Sequence, residues 1–258
     1  MKKTRKKTIK RKNKPVKAQK NKNYKIERIS TGIKNFDKLI EGGFERNSTN
    51  LLVGGSGSGK TIFCVQFLLE GIKRGEKVLY ITFEENKKDF YDNMRDFGWD
   101  LEKLEKEGKF IFLEYTPEKV KTMLEEGGGT TESIVLKEKI SRIIIDSITS
   151  FELLFDDDLE MREAALSLFK LLGKWNCTSL LTYEENPVPD KKSSRTLEFE
   201  ADSITLLYFL RTGKQRKRYI EVSKMRGTKH SLEIFPFSIE KQGIVVSATP
   251  EKNLKFSS

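Results

Sequence analysis

Residues 54–61 read Gly54-Gly55-Ser56-Gly57-Ser58-Gly59-Lys60-Thr61, a complete G-x-x-x-x-G-K-[ST] pattern. These residue types suit the capture of a polyphosphate. Glycines let the backbone turn its N–H groups inward around an anion. Lys60 adds a point charge for the outer phosphates, and the Thr61 hydroxyl suits a Mg²⁺ ion. The flanking sequence agrees with this chemistry. Thr49–Val53 reads as a short buried strand, and Ile62, Val65, Leu68, Leu69 and Ile72 recur at helical spacing. The loop is therefore expected to join a strand to a helix N-terminus, where free N–H groups and the helix dipole favour phosphate. An ordinary glycine turn would not need this strand and helix around it.

Three further clusters carry chemistry. Asp146 follows Ile143-Ile144-Ile145, a Walker B pattern that places a carboxylate at a strand end to hold Mg²⁺ through water. Glu84-Glu85 follows the strand-like run 77–83. A carboxylate there can serve as base or orienter for an attacking water, or the pair can simply cap a helix beginning near Asn86. Glu184-Glu185, after Tyr183, is a second pair that competes for the same role. The third cluster is Lys224-Met225-Arg226-Gly227-Thr228-Lys229-His230. Lys224 and Arg226, two apart on a strand, point to one face and can clamp a phosphate together, with Gly227 making the bend. A bare basic hairpin would instead be a solvated sheet edge.

The elements that must position these groups alternate. Helical patterns are expected around Phe36–Ile40, over the stretch after the glycine loop, over Asn86–Phe97, briefly over Leu101–Glu107, twice within 117–141, and from Asp158 to Trp175. Strand-like runs lie at Lys77–Phe83, Lys109–Leu113, Ile143–Asp146 and Ser179–Tyr183. From Ile204 onward only strands are expected: Ile204–Leu210, Arg218–Ser223, Leu232–Ser238 and Gly243–Val246. Strands alternating with helices imply right-handed βαβ units and a mainly parallel sheet. The closing strand-only stretch implies an antiparallel extension at one edge. The fold class is thus α/β, with one domain expected over 24–250 and a polar tail over 251–258.

Charge is unevenly distributed. The 258-residue chain carries a formal +11. Residues 1–28 hold 14 Lys and Arg against one Glu, a local +13, and the remainder is near neutral at −2. Residues 1–23 have almost no apolar side chains to offset the entropy of ordering and are expected to be a disordered basic tail. Such a tail can contact nucleic acid weakly and without sequence preference, act as a nuclear address in a eukaryotic host, or aid solubility. No apolar run is long enough to span a bilayer, and no apolar stretch follows the basic start as a secretory signal requires. Cys64 and Cys177 read as small buried residues of a reduced, cytoplasmic protein, neither a staple nor a metal site.

In order, Thr31-Gly32, Phe36-Asp37, Gly42-Gly43-Phe44, Gly54–Thr61, Phe83-Glu84-Glu85, Ile145-Asp146-Ser147 and Lys224–His230 make a set that resembles the single-domain KaiC-like ATPases of the RecA superfamily, from Ile29 to about Val246. The resemblance implies a RecA-like P-loop fold that binds ATP and Mg²⁺ and forms a ring, usually a hexamer, with ATP at subunit interfaces. It implies nucleotide contacts from Gly54 through Ile62 and from Lys224, Met225, Arg226, Thr228 and His230. It implies metal contacts from Thr61 and Asp146, and catalysis by Glu84 with Glu85 assisting. Lys60 acts within the chain, and Lys224 and Arg226 act as fingers reaching a neighbour's γ-phosphate. There are departures. The clock protein carries two copies of the domain and this chain one. Glu198-Phe199 falls where the clock protein's second copy has its Ser-Thr phosphate acceptors, with Ser193, Ser194 and Thr196 nearby, which argues against clock-type phosphorylation. RecA-type DNA-binding loops are not evident. The leading expectation is a Mg²⁺-dependent ATPase working as a nucleotide-gated oligomeric switch. The alternatives are a RecA/RadA paralogue acting on DNA and a non-catalytic ATP-binding regulator, against which the two carboxylates at 84–85 count.

Overall fold

Apolar and β-branched runs of five to seven residues are interleaved along most of the chain with amphipathic stretches capped by Asn, Asp or Thr, and each becomes the element its pattern demands. The computed structural model describes residues 26–152, 155, 157–187 and 196–252. The expectations for the basic tail 1–23, for Ser193 and Ser194 and for the chain from 253 onward lie outside the described residues. The chain opens with β1 (Arg28–Ile29), α1 (Phe36–Leu39) and β2 (Phe44–Glu45). Next come β3 (Thr49–Gly54), α2 (Lys60–Lys73), β4 (Lys77–Thr82), α3 (Lys87–Arg95), α4 (Leu101–Lys106) and β5 (Phe110–Glu114). The middle of the chain holds α5 (Pro117–Glu125), α6 (Gly129–Glu138), β6 (Ile140–Asp146), α7 (Ile148–Glu152), α8 (Asp158–Lys174) and β7 (Thr178–Glu184). It closes with α9 (Thr196–Glu200), β8 (Ser203–Thr212), β9 (Gln215–Met225), β10 (Phe235–Glu240) and β11 (Gly243–Val246).

Nine strands form one sheet in the order β11-β10-β9-β8-β3-β7-β6-β4-β5, and β1 and β2 make a separate antiparallel pair. From β8 to β5 every pairing is parallel. β9, β10 and β11 then extend the sheet antiparallel. Side chains of a strand alternate between faces, and the two faces bury separate cores. Leu52, Val78, Tyr80, Ile144 and Leu180 pack with α1, α2 and α3, whereas Leu51, Val53, Leu79, Ile145 and Leu181 pack with α5, α6 and α8. The helices begin where side chains can take the first free N–H groups. Asn86, Asp100 and Thr116 accept from the residue three positions on, and Asp157 accepts from Leu159 and Glu160. No described helix is long and apolar enough to cross a membrane.

Three features depart from the pattern-based expectations. The strand expected over Leu232–Ser238 starts only at Phe235, because pairing with β9 begins at Phe235 opposite Ile220. Lys224 does not lie on an edge strand: β9 is third from the edge, with β10 and β11 outside it. The β1–β2 pair and the five-residue helices α7 and α9 are additions, too short for periodicity to reveal.

Arg142 lies fully buried in β6, an Ile-rich strand. Its guanidinium donates to the Glu76 carboxylate (2.6 and 3.4 Å), to the Ser30 carbonyl (2.8 Å) and to the Phe67 carbonyl (2.8 Å), and stacks on the Phe67 ring. A buried charge is tolerable only when it is paired and hydrogen-bonded in this way. Nearby, the Asp37 carboxylate accepts from the Ser30 hydroxyl and from the Thr31 N–H and hydroxyl, which folds the Ser30–Thr31 segment over α1. Arg142→Ala would strand Glu76 and two carbonyls. Chemical denaturation should show a loss of about 3–5 kcal/mol, the range for breaking a buried ion pair from one side.

Candidate nucleotide-binding site

Parallel pairing brings the carboxyl ends of β3, β7, β6 and β4 to one edge of the sheet. Gly54 stands level with Glu184 and Thr82 level with Asp146. The loop after β3 turns back through Gly57 and Gly59, both at positive φ, and Gly59 caps α2. Only glycine takes these conformations without strain. Gly54 and Gly55 are demanded by space instead. A Cβ on Gly54 would fall 2.5 Å from Ser58 Oγ, and one on Gly55 would fall 1.9 Å from Asn186 Oδ1. The Lys60 ammonium is buried and donates to the Gly54 and Gly55 carbonyls, at 2.7 and 3.2 Å. Ser58 Oγ is buried with no hydrogen-bond partner, Ser56 is exposed, and Ile62 packs beside the core in the first turn of α2.

The Asp146 carboxylate is held from three sides. Tyr80 OH donates to Oδ2 at 2.5 Å, Thr182 Oγ1 to Oδ1 at 2.5 Å and Thr61 Oγ1 to Oδ2 at 3.3 Å. Burial, followed by the Asp146 charge, pushes the Tyr80 phenol well above its ordinary range, so it stays a donor. Tyr80 and Thr182 were not singled out by motif. Their trace is a hydroxyl within an otherwise apolar buried strand, which needs a partner.

Of the two acidic pairs, Glu84-Glu85 is not a helix cap, since Asn86 caps α3 by itself. Glu84 Oε1 accepts from the Ser147 and Ser150 hydroxyls at 2.7 and 2.6 Å, which aims the side chain toward the Asp146 end of β6. Partial desolvation, then repulsion from Asp146, Glu84 and Asp89, raises the Glu85 carboxyl above its usual range. Glu184 is exposed at the end of β7, and its N–H donates to the Thr149 hydroxyl. Both pairs thus stand at the same sheet edge; Glu84 meets the segment that follows Asp146 through its carboxylate, and Glu184 meets it through its backbone N–H.

The fingers lie elsewhere. Lys224 pairs with Ile204, which is level with Leu51, and Arg226 follows the end of β9, so the two are not both on the strand as the spacing suggested. Arg226 pairs with Asp202 (3.4 Å), whose carboxylate accepts the N–H of Thr49, the first residue of β3. Gly54 is five residues further along, about 16 Å at the rise of a strand. Lys224 and Arg226 therefore sit at the opposite end of the sheet from the chain's glycine loop. Lys224 Nζ donates to the Glu198 and Phe199 carbonyls and Arg226 to the Phe199 carbonyl, which brings both cations together at the end of α9. Met225 is buried, the Thr228 hydroxyl accepts from Arg28 at 2.7 Å, and His230 lies along the following loop. Besides Lys60, Arg218 touches the glycine loop within the chain. It donates twice to the Gly57 carbonyl, at 3.0 and 3.1 Å, and lies over the Phe209 ring. No motif marked it, because it depends on the register of β8 with β9.

The ATPase: KaiC family model matches residues 29–251. This chain belongs to the KaiC ATPase family. Among KaiC relatives, it is 36% identical over 230 residues to the circadian clock protein KaiC3 of Synechocystis sp., a match covering 86% of this chain and 46% of that protein. It is also 34% identical over 244 residues to a UPF0273 protein of Methanocaldococcus jannaschii, covering 89% of this chain and 99% of that one. The chain therefore spans about half the length of the clock relatives and nearly the whole of the shorter ones. The crystal structure of a KaiC-like protein from Pyrococcus horikoshii superposes with a TM-score of 0.77 at 37% identity, over 86% of this chain and all of that one. The RecA-like α/β fold of the KaiC family, mainly parallel with an antiparallel edge, is the fold seen here.

The site fits the nucleotide and Mg²⁺ that KaiC membership implies. Buried Ser58 Oγ lacks a partner in the loop itself. A hydroxyl and a carboxylate, Thr61 and Asp146, adjoin the loop. Among the described residues no cluster of three or more His, Cys, Asp or Glu is placed to cage a metal. Lys60→Ala removes the one buried ammonium at the loop. Hydrogen bonds to charged groups contribute roughly 1.5–3 kcal/mol each, so ATP affinity measured by calorimetry should fall at least about tenfold.

Proposed function

We propose that this chain binds ATP with Mg²⁺ at the glycine loop and hydrolyses it slowly, as a ring-forming switch in which each site is completed by a neighbouring copy. The observation that carries the reading is the division of the machinery between two ends of one sheet. The glycine loop, Asp146 and Glu84 share one end, and Lys224 and Arg226 share the other. In this reading the ATPase domain spans 24–250, with the basic segment 1–23 and residues 251–258 outside it. The basic segment contributes at most weak, sequence-independent contact with nucleic acid.

Each residue has a physical task. The loop N–H groups from Gly54 to Thr61 and the α2 N-terminus take the phosphates, with Lys60 turning from its two carbonyls to the outer ones. Thr61 and Asp146 hold Mg²⁺, which when bound neutralises charge on the outer phosphates. The Tyr80 and Thr182 hydroxyls keep the Asp146 carboxylate in place. Glu84, fixed by Ser147 and Ser150, orients and deprotonates the attacking water, and Glu85 assists. The raised Glu85 carboxyl takes a proton at higher pH than an ordinary glutamate, so its anionic help is lost as pH falls through that raised range. Lys224 and Arg226 of a neighbour stabilise the charge that develops on the transferred group, while Met225, Thr228 and His230 bound the nucleotide from the same side. Such an arrangement uses two different surfaces and suits a closed, heterologous ring such as a hexamer.

Glu84→Gln preserves size and loses the base. ATP binding should persist while single-turnover hydrolysis falls roughly 10²–10⁴-fold; normal turnover in this variant together with loss in Glu184→Gln would move the role to the second pair. Sharing between copies has its own test. Lys60→Ala and Arg226→Ala should each be nearly inactive alone, since a cation supplied in trans contributes about 10³–10⁵ in rate in comparable systems. Mixed under subunit exchange, they should regain activity wherever an intact loop meets an intact finger. Failure to recover in verified mixed assemblies would show that Arg226 does not act on a neighbour.

A further inference from the structure

Five of the eight side chains from Arg211 to Arg218 are cationic and none is acidic. They lie on the hairpin that joins β8 to β9. The pairing of β8 with β3 ends at Leu207 opposite Gly54, and β9 meets β10 only from Arg218 onward. Residues 210–217 therefore form a two-stranded ribbon that pairs with itself alone, past the glycine-loop end of β3. Its register sets Arg211 directly opposite Arg216 and Phe209 opposite Arg218. Opposite residues share a face, as do residues two apart on a strand, so three guanidinium groups gather on one face with the Phe209 ring. Arg216 and Arg218 lie over that ring, at 5.1 and 4.5 Å from its centre, and Arg218 also donates to the Gly57 carbonyl, which fixes the base of the ribbon. Like charges set directly opposite destabilise a ribbon. Among the described residues no carboxylate pairs with Arg211, Lys214, Arg216 or Lys217 to relieve this. Glu240, on the same side in β10, accepts from the Ser238 hydroxyl of its own strand.

We propose that this ribbon is a nucleic-acid contact that grips the phosphate backbone. A phosphodiester chain offers a continuous row of negative charge, and the planar guanidinium fork matches phosphate oxygens. A two-stranded ribbon is also narrow enough to enter the major groove of a duplex. Other anionic partners fit less well, because no side chain from Arg211 to Lys217 is apolar. A protein partner would find no aromatic or aliphatic anchor there, and a bilayer would receive nothing that inserts. Nucleic-acid interfaces are polar and strongly positive, as this ribbon is. The carboxylates of the loop end do not cancel it. Glu184, Asp146 and Glu84 stand at the ends of β7, β6 and β4, on the far side of β3 from β8. At about 4.8 Å per strand they lie roughly 10, 14 and 19 Å from β8 across the sheet, beyond the ~8 Å over which charge is felt at physiological salt. The proposal goes beyond the ATP site and does not depend on how Lys224 and Arg226 act.

The test is fluorescence anisotropy of a short fluorescein-labelled duplex DNA, read across a salt titration. The full chain, basic segment included, is compared with its Arg211→Gln/Lys214→Gln/Arg216→Gln variant. All three side chains are exposed and lie outside the ATP site, so a thermal melt and ATP binding should be unchanged. The expected result is duplex affinity lowered at least about tenfold at low salt, with a log–log salt slope shallower by about 0.9 for each cation that had met a phosphate. The tip pair Arg211→Gln/Lys214→Gln, which leaves the Phe209 ring covered, should lose affinity in the same direction and stands as the test if the triple variant melts early. Equal affinity and slope in wild type and variants would overturn the proposal and leave any binding to the basic segment. A wild type with no affinity for the duplex at low salt would overturn it as well. Loss of binding to phosphatidylserine vesicles, or of self-association in sedimentation, with duplex binding unchanged, would give the ribbon to a lipid surface or to a second copy and overturn the proposal.

Discussion

Parallel pairing of β3 on both sides is the constraint from which the rest of the site follows. β3 lies level with β7 through Gly54 opposite Glu184, and with β8 through Gly54 opposite Leu207. Because hydrogen bonds lock this register, the glycine loop must emerge beside the ends of β7 and β6, and Asp146 comes within reach of Thr61 with no further adjustment. A slip of one residue would turn every side chain of β3 to the other face and send the loop away from the carboxylates. The same register, carried through β8 into antiparallel β9, places Lys224 and Arg226 at the start of β3 rather than at its end. One set of ladders thus both assembles the cradle and sets Lys224 and Arg226 apart from it.

Hydroxyl groups perform much of the fine positioning. Asp146 is oriented by Tyr80, Thr182 and Thr61, and Glu84 by Ser147 and Ser150. A hydroxyl donates without adding charge, so it fixes a carboxylate without neutralising it. Cations are treated in the opposite way. Lys60, Arg218, Lys224 and Arg226 all rest on backbone carbonyls, at Gly54 and Gly55, Gly57, Glu198 and Phe199. Carbonyls satisfy an ammonium or guanidinium yet can be exchanged for a more negative partner.

The glycine loop, the strand before it, the helix after it and Asp146 were legible in the chain because each is a local pattern. Spacing and residue type over a dozen positions decide them. The sheet's parallel half and its antiparallel edge were legible for the same reason. What escaped depends on partners far away in sequence. The two-residue strands β1 and β2 exist only through each other, and α7 and α9 are too short for a period to show. Arg142, just before three isoleucines, carries no local sign of its burial; it is fully buried because Glu76, Ser30 and Phe67 meet it. Arg218 touches the glycine loop only because β9 pairs with β8 in one register. The finger string was conspicuous by composition, but which end of the sheet it occupies could not be read from the string.

Arg142 also bears on how the chain reaches its fold. Its guanidinium is satisfied by groups contributed from residues 30, 67 and 76, the most distant 112 positions away. Until all three segments arrive, closing the sheet around β6 would bury a charge with open donors, which costs more than the partial burial returns. Half-assembled sheets are therefore penalised and the last long-range closure is rewarded all at once. Contacts of such sequence separation slow the search, but they also make the transition cooperative. A partly folded chain with an exposed parallel edge, the form most prone to aggregate, is kept scarce by a single side chain.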